Sequence, residues 1–264
     1  MQSLLDDPWL FFALSFAALW LATQVGAAFL RKRRAIGQNV REDYNTILAA
    51  TLTLSGLIIG FSFSMAINRY EQRKILEEAE ANSIGTEYLR VELFSAADAD
   101  KVRALLTRYL DARIEFYQSR DRDALSAVNE RTAQLQDQLW AAVRDAAKAA
   151  QTPTIALAVA GMNDVLNSQG YTQAAWWNRI PTGAWILMIA IALMGNLLVG
   201  YGAESVKNES ALLMVLPFVF SICFLLVADI DSPRGGIIRV IPQNLAQLAA
   251  SLHVHGSSVP ALRN

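Results

Sequence analysis

Residues 52–73 read LTLSGLIIGFSFSMAINRYEQR, a stretch that changes from apolar to charged without a proline. The uncharged run that contains it extends from about Ile47 to Ile67, close to the roughly 20 residues that a helix needs to cross a bilayer core. Downstream, Gly85 is the only glycine and no proline occurs before a break near Asp98. We therefore predict a membrane helix that continues into water as one long rod.

Three further apolar segments have the length of a membrane span. They run from Trp9 to Leu30, from about Pro181 to Tyr201 and from about Leu212 to Ile230. Backbone groups in hydrocarbon must be hydrogen-bonded within their own segment, so each segment is predicted to be a helix. The acidic start MQSLLDD and the length of the first segment favour a retained helix over a cleaved signal peptide.

The composition indicates a protein with separate membrane and soluble parts. The 264 residues are 53% hydrophobic and 18% charged, which indicates apolar blocks in lipid and charged blocks in water. The predicted fold class is an all-α polytopic membrane protein with four transmembrane helices and a soluble helical bundle between the second and third. The predicted boundaries are 1–67 for the first two transmembrane helices, 68–180 for the bundle, 181–231 for the last two, and 232–264 for a C-terminal tail with a short amphipathic helix.

The predicted bundle shows helical periodicity and none of the alternating patterns that mark strands. Positions that step by three or four along the rod include Asn82 and Thr86, which predict a polar stripe on the long helix. Asp98 is predicted to cap the next helix, and Pro153 suits the first position of a later helix.

Small residues recur every four positions in the second span, at Gly56, Gly60 and Ser64, and so share one helix face. Such faces let helices approach closely in lipid, so one interpretation is packing between helices of a single subunit. The other is a helix that lines an oligomeric pore, with serine hydroxyls along it and a phenylalanine constriction. The candidate pore-lining or constriction residues are Ser55, Gly56, Gly60, Phe61, Ser62, Phe63, Ser64 and Asn68.

The third and fourth spans also contain polar residues that are candidates for a function. Asn196 lies midway along the third span, where a buried amide needs a partner, and an interhelical hydrogen bond is predicted. The fourth span ends in charged sequence that either anchors the membrane boundary through local ion pairs or forms a pore mouth that concentrates ions. The residues concerned are Asp229, Asp231, Arg234 and Arg239.

The charges that flank the first span predict an orientation. The N-terminal tail has no Lys or Arg, whereas the first loop carries several. The positive-inside rule places that loop in the cytoplasm, so four spans put the middle domain and both termini in the periplasm. The orientation rests on the first hairpin, because the positive charges of the two sides are equal over the whole chain. The first loop and Lys207 contribute six, namely Arg31, Lys32, Arg33, Arg34, Arg41 and Lys207, and the other side also has six, namely Arg69, Arg73, Lys74, Arg179, Arg234 and Arg239.

Two stretches together resemble a known family. They are GFSFSMAINRYEQR leading into EEAEANSIGTEYLR, within residues 60–90, and DIDSPRGGIIRV, residues 229–240. The sequence RYLDARIEFY between them, and the later QLWAAV and NRIP, are also similar, so the resemblance covers most of the chain. On these motifs the chain is identified as a member of the bacterial bestrophin-like domain family of integral membrane proteins.

The resemblance carries implications through its distant likeness to bestrophins, which are pentameric anion channels with four spans per subunit. It implies an oligomeric channel in the inner membrane with the second span at the axis. It also implies that the middle domain and both termini are cytoplasmic, which is the opposite of the charge-based orientation. The segment GLIIGFSFS has the phenylalanine of the bestrophin neck but no proline, and no acidic calcium-binding run is apparent.

The remaining motifs predict neither an enzyme nor a cofactor. The chain has no Gly-rich phosphate loop, nucleophile elbow or zinc-binding helix pair. His253 and His255 are two positions apart and cannot share a helix face, so no metal site is predicted. The net charge of −1 argues against a nucleic-acid partner. The expected partners are the lipid bilayer, inorganic ions and further copies of the chain.

Two functions from different classes follow from these patterns. The first is an oligomeric ion channel whose pore is lined by the second span. The alternative is a non-conducting membrane scaffold or sensor whose helical domain binds a partner. A secondary transporter is less favoured because no span has a charge at its centre.

Overall fold

The computed structural model describes residues 7–30, 38–203 and 210–257, which contain helices and no strand. Four helical segments in these ranges are long and apolar enough to cross a membrane, and each overlaps one of the four predicted spans. The all-α, four-span fold class is therefore confirmed. The helices are α1 Pro8–Val25, α2 Gln38–Arg90, α3 Ala96–Gln118, α4 Arg122–Ala149, α5 Pro153–Trp177, α6 Thr182–Gly202, α7 Ser210–Asp231 and α8 Gln243–Ser257.

The predicted long rod is present as α2, a single helix of 53 residues. It contains the whole second span and continues to Arg90, where a 3-10 turn over Val91–Leu93 ends it. No proline occurs in residues 38–90. This permits the length of α2, because a proline inside a helix removes a hydrogen bond and clashes with the preceding turn.

Polar side chains cap the first turns of α3 and α5. The N-cap of α3 is Ser95, whose Oγ accepts from the backbone N–H of Asp98 at 3.3 Å. The prediction of Asp98 as the cap was therefore wrong by three positions, because Asp98 instead bonds the Ser95 hydroxyl in a reciprocal capping arrangement. Pro153 occupies the first turn of α5 behind an N-cap at Thr152, as predicted.

The chain forms two compact units, which are described separately. The first comprises Met1–Tyr70 and Arg179–Arg239, and the second comprises Glu71–Asn178 and Val240–Asn264. Helix α2 belongs to both units, and α8 belongs to the second. The border between α5 and α6 coincides with Pro181, since a residue before proline is kept out of the helical conformation.

In the first unit, α1 and the π-helical turn Gly26–Leu30 that continues it pack tightly against α6 at two glycines. A Cβ at Gly200 would lie 2.8 Å from the carbonyl carbon of Thr23 and 3.0 Å from the backbone nitrogen of Ala27. A Cβ at Gly26 would lie 2.9 Å from the backbone nitrogen of Tyr201. Only glycine lets the two backbones come this close, as at small-residue crossings in membranes.

The polar group deep in the third span has the partner that was expected. The side chain of Asn196 is fully buried, and its Oδ1 accepts from the Thr23 hydroxyl of α1 at 3.4 Å. Its Nδ2 donates to the carbonyl of Ala192 at 2.8 Å. The predicted interhelical hydrogen bond is confirmed, and it joins the same two helices as the glycine crossing.

The second unit has an aromatic and aliphatic core formed by α3, α4 and α5. The ring of Phe116 lies 5.1 Å from that of Trp176, and Tyr117 lies 5.4 Å from the same indole. Such edge-to-face contacts add specific geometry to the burial of the rings. The first two of these helices also carry fully buried leucines, among them Leu106, Leu110 and Leu139.

Candidate pore-lining face

Helix α2 has one covered and one open side along the membrane span. Ser55, Ile59, Ser62 and Ala66 are buried and follow one another at steps of three or four, so they form the side that faces the rest of the first unit. Ser55 also bonds its own helix, through its hydroxyl to the carbonyl of Thr51 at 2.8 Å. This side is occupied by the packing of a single subunit.

The small-residue face lies away from that packed side. Gly56, Gly60 and Ser64 are exposed, and no atom lies within 4 Å of a Cβ built at either glycine. The interpretation of this face as a contact between helices of one subunit is therefore not supported among the described residues. In the part of the chain that the structure describes, this face is open.

The two phenylalanines of the span point to different environments. Phe61 is 62% exposed, whereas Phe63 is half-buried and packs against the apolar core of the first unit. The structure thus separates the eight candidates into three that face their own subunit, Ser55, Ser62 and Phe63, and five that are open, Gly56, Gly60, Phe61, Ser64 and Asn68.

The continuation of α2 in the second unit repeats this two-sided pattern. Asn82 and Thr86, the predicted polar stripe, are both exposed. The opposite side carries buried charges at Arg73, Glu77, Glu80 and Glu87. Sequence reasoning missed these four, although their spacing of four, three and seven places them on one helix face.

Glu80 is the centre of a buried polar network. Arg113 of α3 forms a salt bridge with its carboxylate, with both side chains fully buried. The hydroxyls of Tyr117 and Thr172 each donate to the carboxylate at 3.2 Å. Burial alone would lower the pKa of Arg113, but the charge of Glu80 raises it above its ordinary value. Side chains of α3 and α5 therefore converge on one carboxylate of α2.

Two other buried charges cap helices. The carboxylate of Glu77 accepts from the backbone N–H of Leu245 at 2.9 Å and from the side chain of Asn244 at 2.6 Å, which satisfies the first turn of α8. The guanidinium of Arg73 donates to the carbonyls of Ala175 at 3.2 Å and Asn178 at 3.3 Å, at the end of α5. Both contacts place charge where the helix dipole favours it.

The predicted pore-mouth residues have local partners. Asp229 is buried, and its carboxylate accepts from the backbone N–H groups of Ile237 and Ile238 at 2.8 Å each. Asp231 is buried and accepts from the N–H of Ile180 at 3.0 and 3.2 Å. These two carboxylates hold loop backbone at the ends of α7 and α6, whereas Arg234 and Arg239 are half-exposed.

Solved structures with this fold come from bacterial bestrophin homologues. A crystal structure of the Klebsiella pneumoniae homologue superposes with a TM-score of 0.68 at 11% identity, covering 95% of this chain and 98% of that one. Two of its point variants give TM-scores of 0.64 and 0.63 at 11% and 12% identity, with coverage of 94% and 95% of this chain and 99% and 98% of theirs. At this identity the likeness shows the fold.

Sequence comparison supplies the family. No protein of curated function matches the chain. The family model of the bestrophin-like domain, however, matches residues 10–245, nearly the whole chain and both resembling stretches. The protein is a member of the bestrophin-like family of multi-pass membrane proteins.

Proposed function

We propose that the protein is a homo-oligomeric ion channel of the bacterial inner membrane, with its pore lined by the open face of α2. The observation that carries the proposal is the pairing on one helix of a packed side at Ser55 and Ser62 with an uncovered side at Gly60 and Ser64. A helix that lines a pore around a symmetry axis needs one covered and one open side, because its own subunit packs against one side and the ions pass along the other. Membership of the bestrophin-like family supports the proposal.

The open face suits conduction by its chemistry as well. Ser64 offers a hydroxyl, Asn68 an amide, and Gly56 and Gly60 expose backbone where a side chain would narrow the path. The exposed ring of Phe61 on the same span supplies an apolar constriction. Asn82 and Thr86 extend the polar face along the same helix.

Purified protein in planar bilayers should carry ionic current that depends on these residues. Phe61→Ala should raise the unitary conductance by about twofold or more, because it removes the apolar constriction, and Ser64→Leu should abolish most of the current because it fills the path. The measurement is single-channel recording at fixed salt. Leu212→Ala on α7, also an exposed apolar position in a span, is the matched control and should leave conductance unchanged.

The scaffold alternative predicts the opposite result. A well-folded oligomer that gives silent bilayers for the natural sequence and for Phe61→Ala would contradict the channel proposal. Recovery of a stoichiometric partner bound to the helical domain would then support the scaffold function.

The orientation proposed from charge places the helical domain and both termini in the periplasm. A single cysteine introduced as Ser126→Cys in a Cys223→Ala background tests this, since Ser126 is exposed on α4 and Cys223 is the only native cysteine. A membrane-impermeant maleimide should label it in intact cells. Labelling only after the inner membrane is permeabilised would instead establish the cytoplasmic domain that the bestrophin likeness implies.

A further inference from the structure

Glu87 differs from the other buried carboxylates of α2. It is fully buried, and neither of its carboxylate oxygens has a hydrogen-bond partner. Glu77 and Glu80, on the same helix face, are bonded to backbone, amide, hydroxyl or guanidinium groups. A buried polar group without a partner is costly, and an ionised one is far more so.

The surroundings of this carboxylate exclude solvent. It lies against Gly161 of α5, where an added Cβ would overlap the Glu87 oxygen and lie 2.6 Å from Nη1 of Arg90. Glycine at this position thus lets α5 approach the acid closely. The exclusion of solvent favours the neutral, protonated acid over the carboxylate.

The charged groups that act on Glu87 oppose one another. Arg90, one turn later on α2, stabilises the carboxylate, whereas Asp164, one turn after Gly161 on α5, destabilises it. Burial is the largest influence on the pKa of Glu87 and raises it to about 8. The positive charge of Arg90 lowers this pKa, and the negative charge of Asp164 raises it further.

We propose that Glu87 is a proton-operated latch in the helical domain, which closes α2 on α5 when the acid is neutral and loosens this contact when the acid ionises. The neutral acid fits the dry space beside Gly161. The carboxylate requires water, and water can reach it only when the two helices move apart. The latch thus links the domain to the pH on its side of the membrane, and it does not depend on ion conduction.

The direction of the pH effect follows from the two states of the acid. The unfolded or locally open chain loses the proton near the ordinary pKa of 4.5, whereas the closed form holds it to about 8. Between these values opening releases a proton, so stability falls as the pH rises through this window and levels off above it. The contact is strongest at low pH.

Hydrogen–deuterium exchange of the full-length protein tests the latch at residues 84–93 and 157–168, which contain Glu87 and Gly161. The exchange rates of the natural protein are divided by those of Glu87→Gln at the same pH, which cancels the intrinsic chemistry of exchange. Since glutamine mimics the neutral acid and cannot ionise, the ratio should rise about tenfold or more between pH 6 and pH 8.

Two further variants make the result decisive. Glu87→Met, an apolar replacement, should show the same flat pH response as Glu87→Gln. Glu130→Gln, an exposed acid on α4, should follow the natural protein. A constant ratio from pH 6 to pH 8, or a Glu130→Gln variant that loses the pH response, would overturn the latch. Since the readout is exchange and not current, a non-conducting protein leaves the test intact.

Discussion

Arg113→Met should lower the free energy of unfolding by about 3–5 kcal/mol, because it leaves the carboxylate of Glu80 buried without its cation. The hydroxyls of Tyr117 and Thr172 remain as donors but carry no compensating charge. Methionine fills most of the arginine volume, so the loss reflects electrostatics more than a cavity. Thermal unfolding in detergent should show a melting temperature lower by about 10 °C.

Two companion variants separate this effect from general damage. Arg144→Met removes an exposed arginine whose ion pair with Asp145 is open to solvent, and it should change stability by no more than about 0.5 kcal/mol. The double variant Arg113→Met with Glu80→Leu should recover only part of the loss, since an apolar pair replaces the buried ion pair at little cost but the hydroxyls of Tyr117 and Thr172 lose their acceptor. Equal destabilisation by Arg113→Met and Arg144→Met would contradict the buried network.

Gly200→Ala should destabilise the membrane unit by at least about 3 kcal/mol, although it adds only one methyl group. The added carbon would meet the backbone of Thr23 and Ala27, and backbone cannot rotate away as a side chain can. Helices α1 and α6 must therefore separate, which also weakens the bond between Thr23 and Asn196. The measurement is thermal unfolding in lipid nanodiscs.

The same helix offers a matched control for this substitution. A Cβ at Gly183 meets no atom within 4 Å, so Gly183→Ala should be neutral or slightly stabilising because alanine favours the helix. A Gly200→Ala protein as stable as Gly183→Ala would show that the two backbones are not in close contact.

The spacing of glycines in the sequence did not predict which of them lie at a close helix crossing. The regular spacing of Gly56, Gly60 and Ser64 suggested a packing face. Among the described residues, however, no atom from another helix lies within 4 Å of a Cβ built at either glycine. The close crossing occurs instead at Gly26 and Gly200, which lie in two different helices and form no short repeat. A repeat within one helix identifies a smooth face but does not identify what lies against it.

The buried acids of α2 show the same limit for charge. The segment EEAEANSIGTE has the appearance of a solvated helix surface, because acidic residues are mostly exposed. Glu77, Glu80 and Glu87 are nevertheless buried, since Asn244, Arg113 and Gly161 from distant parts of the chain meet them. Their shared helix face was visible in their spacing, but their partners were not.

The sequence by itself determined the four spans, the continuation of the second span as one long helix and the interhelical hydrogen bond of Asn196. These follow from hydropathy, the absence of helix breakers and the cost of a buried amide, which are local properties. The tertiary structure alone decided which side of α2 is covered, which glycines touch backbone and which acids have partners. These depend on contacts between residues far apart in sequence, and a periodic pattern specifies a face without specifying its neighbour.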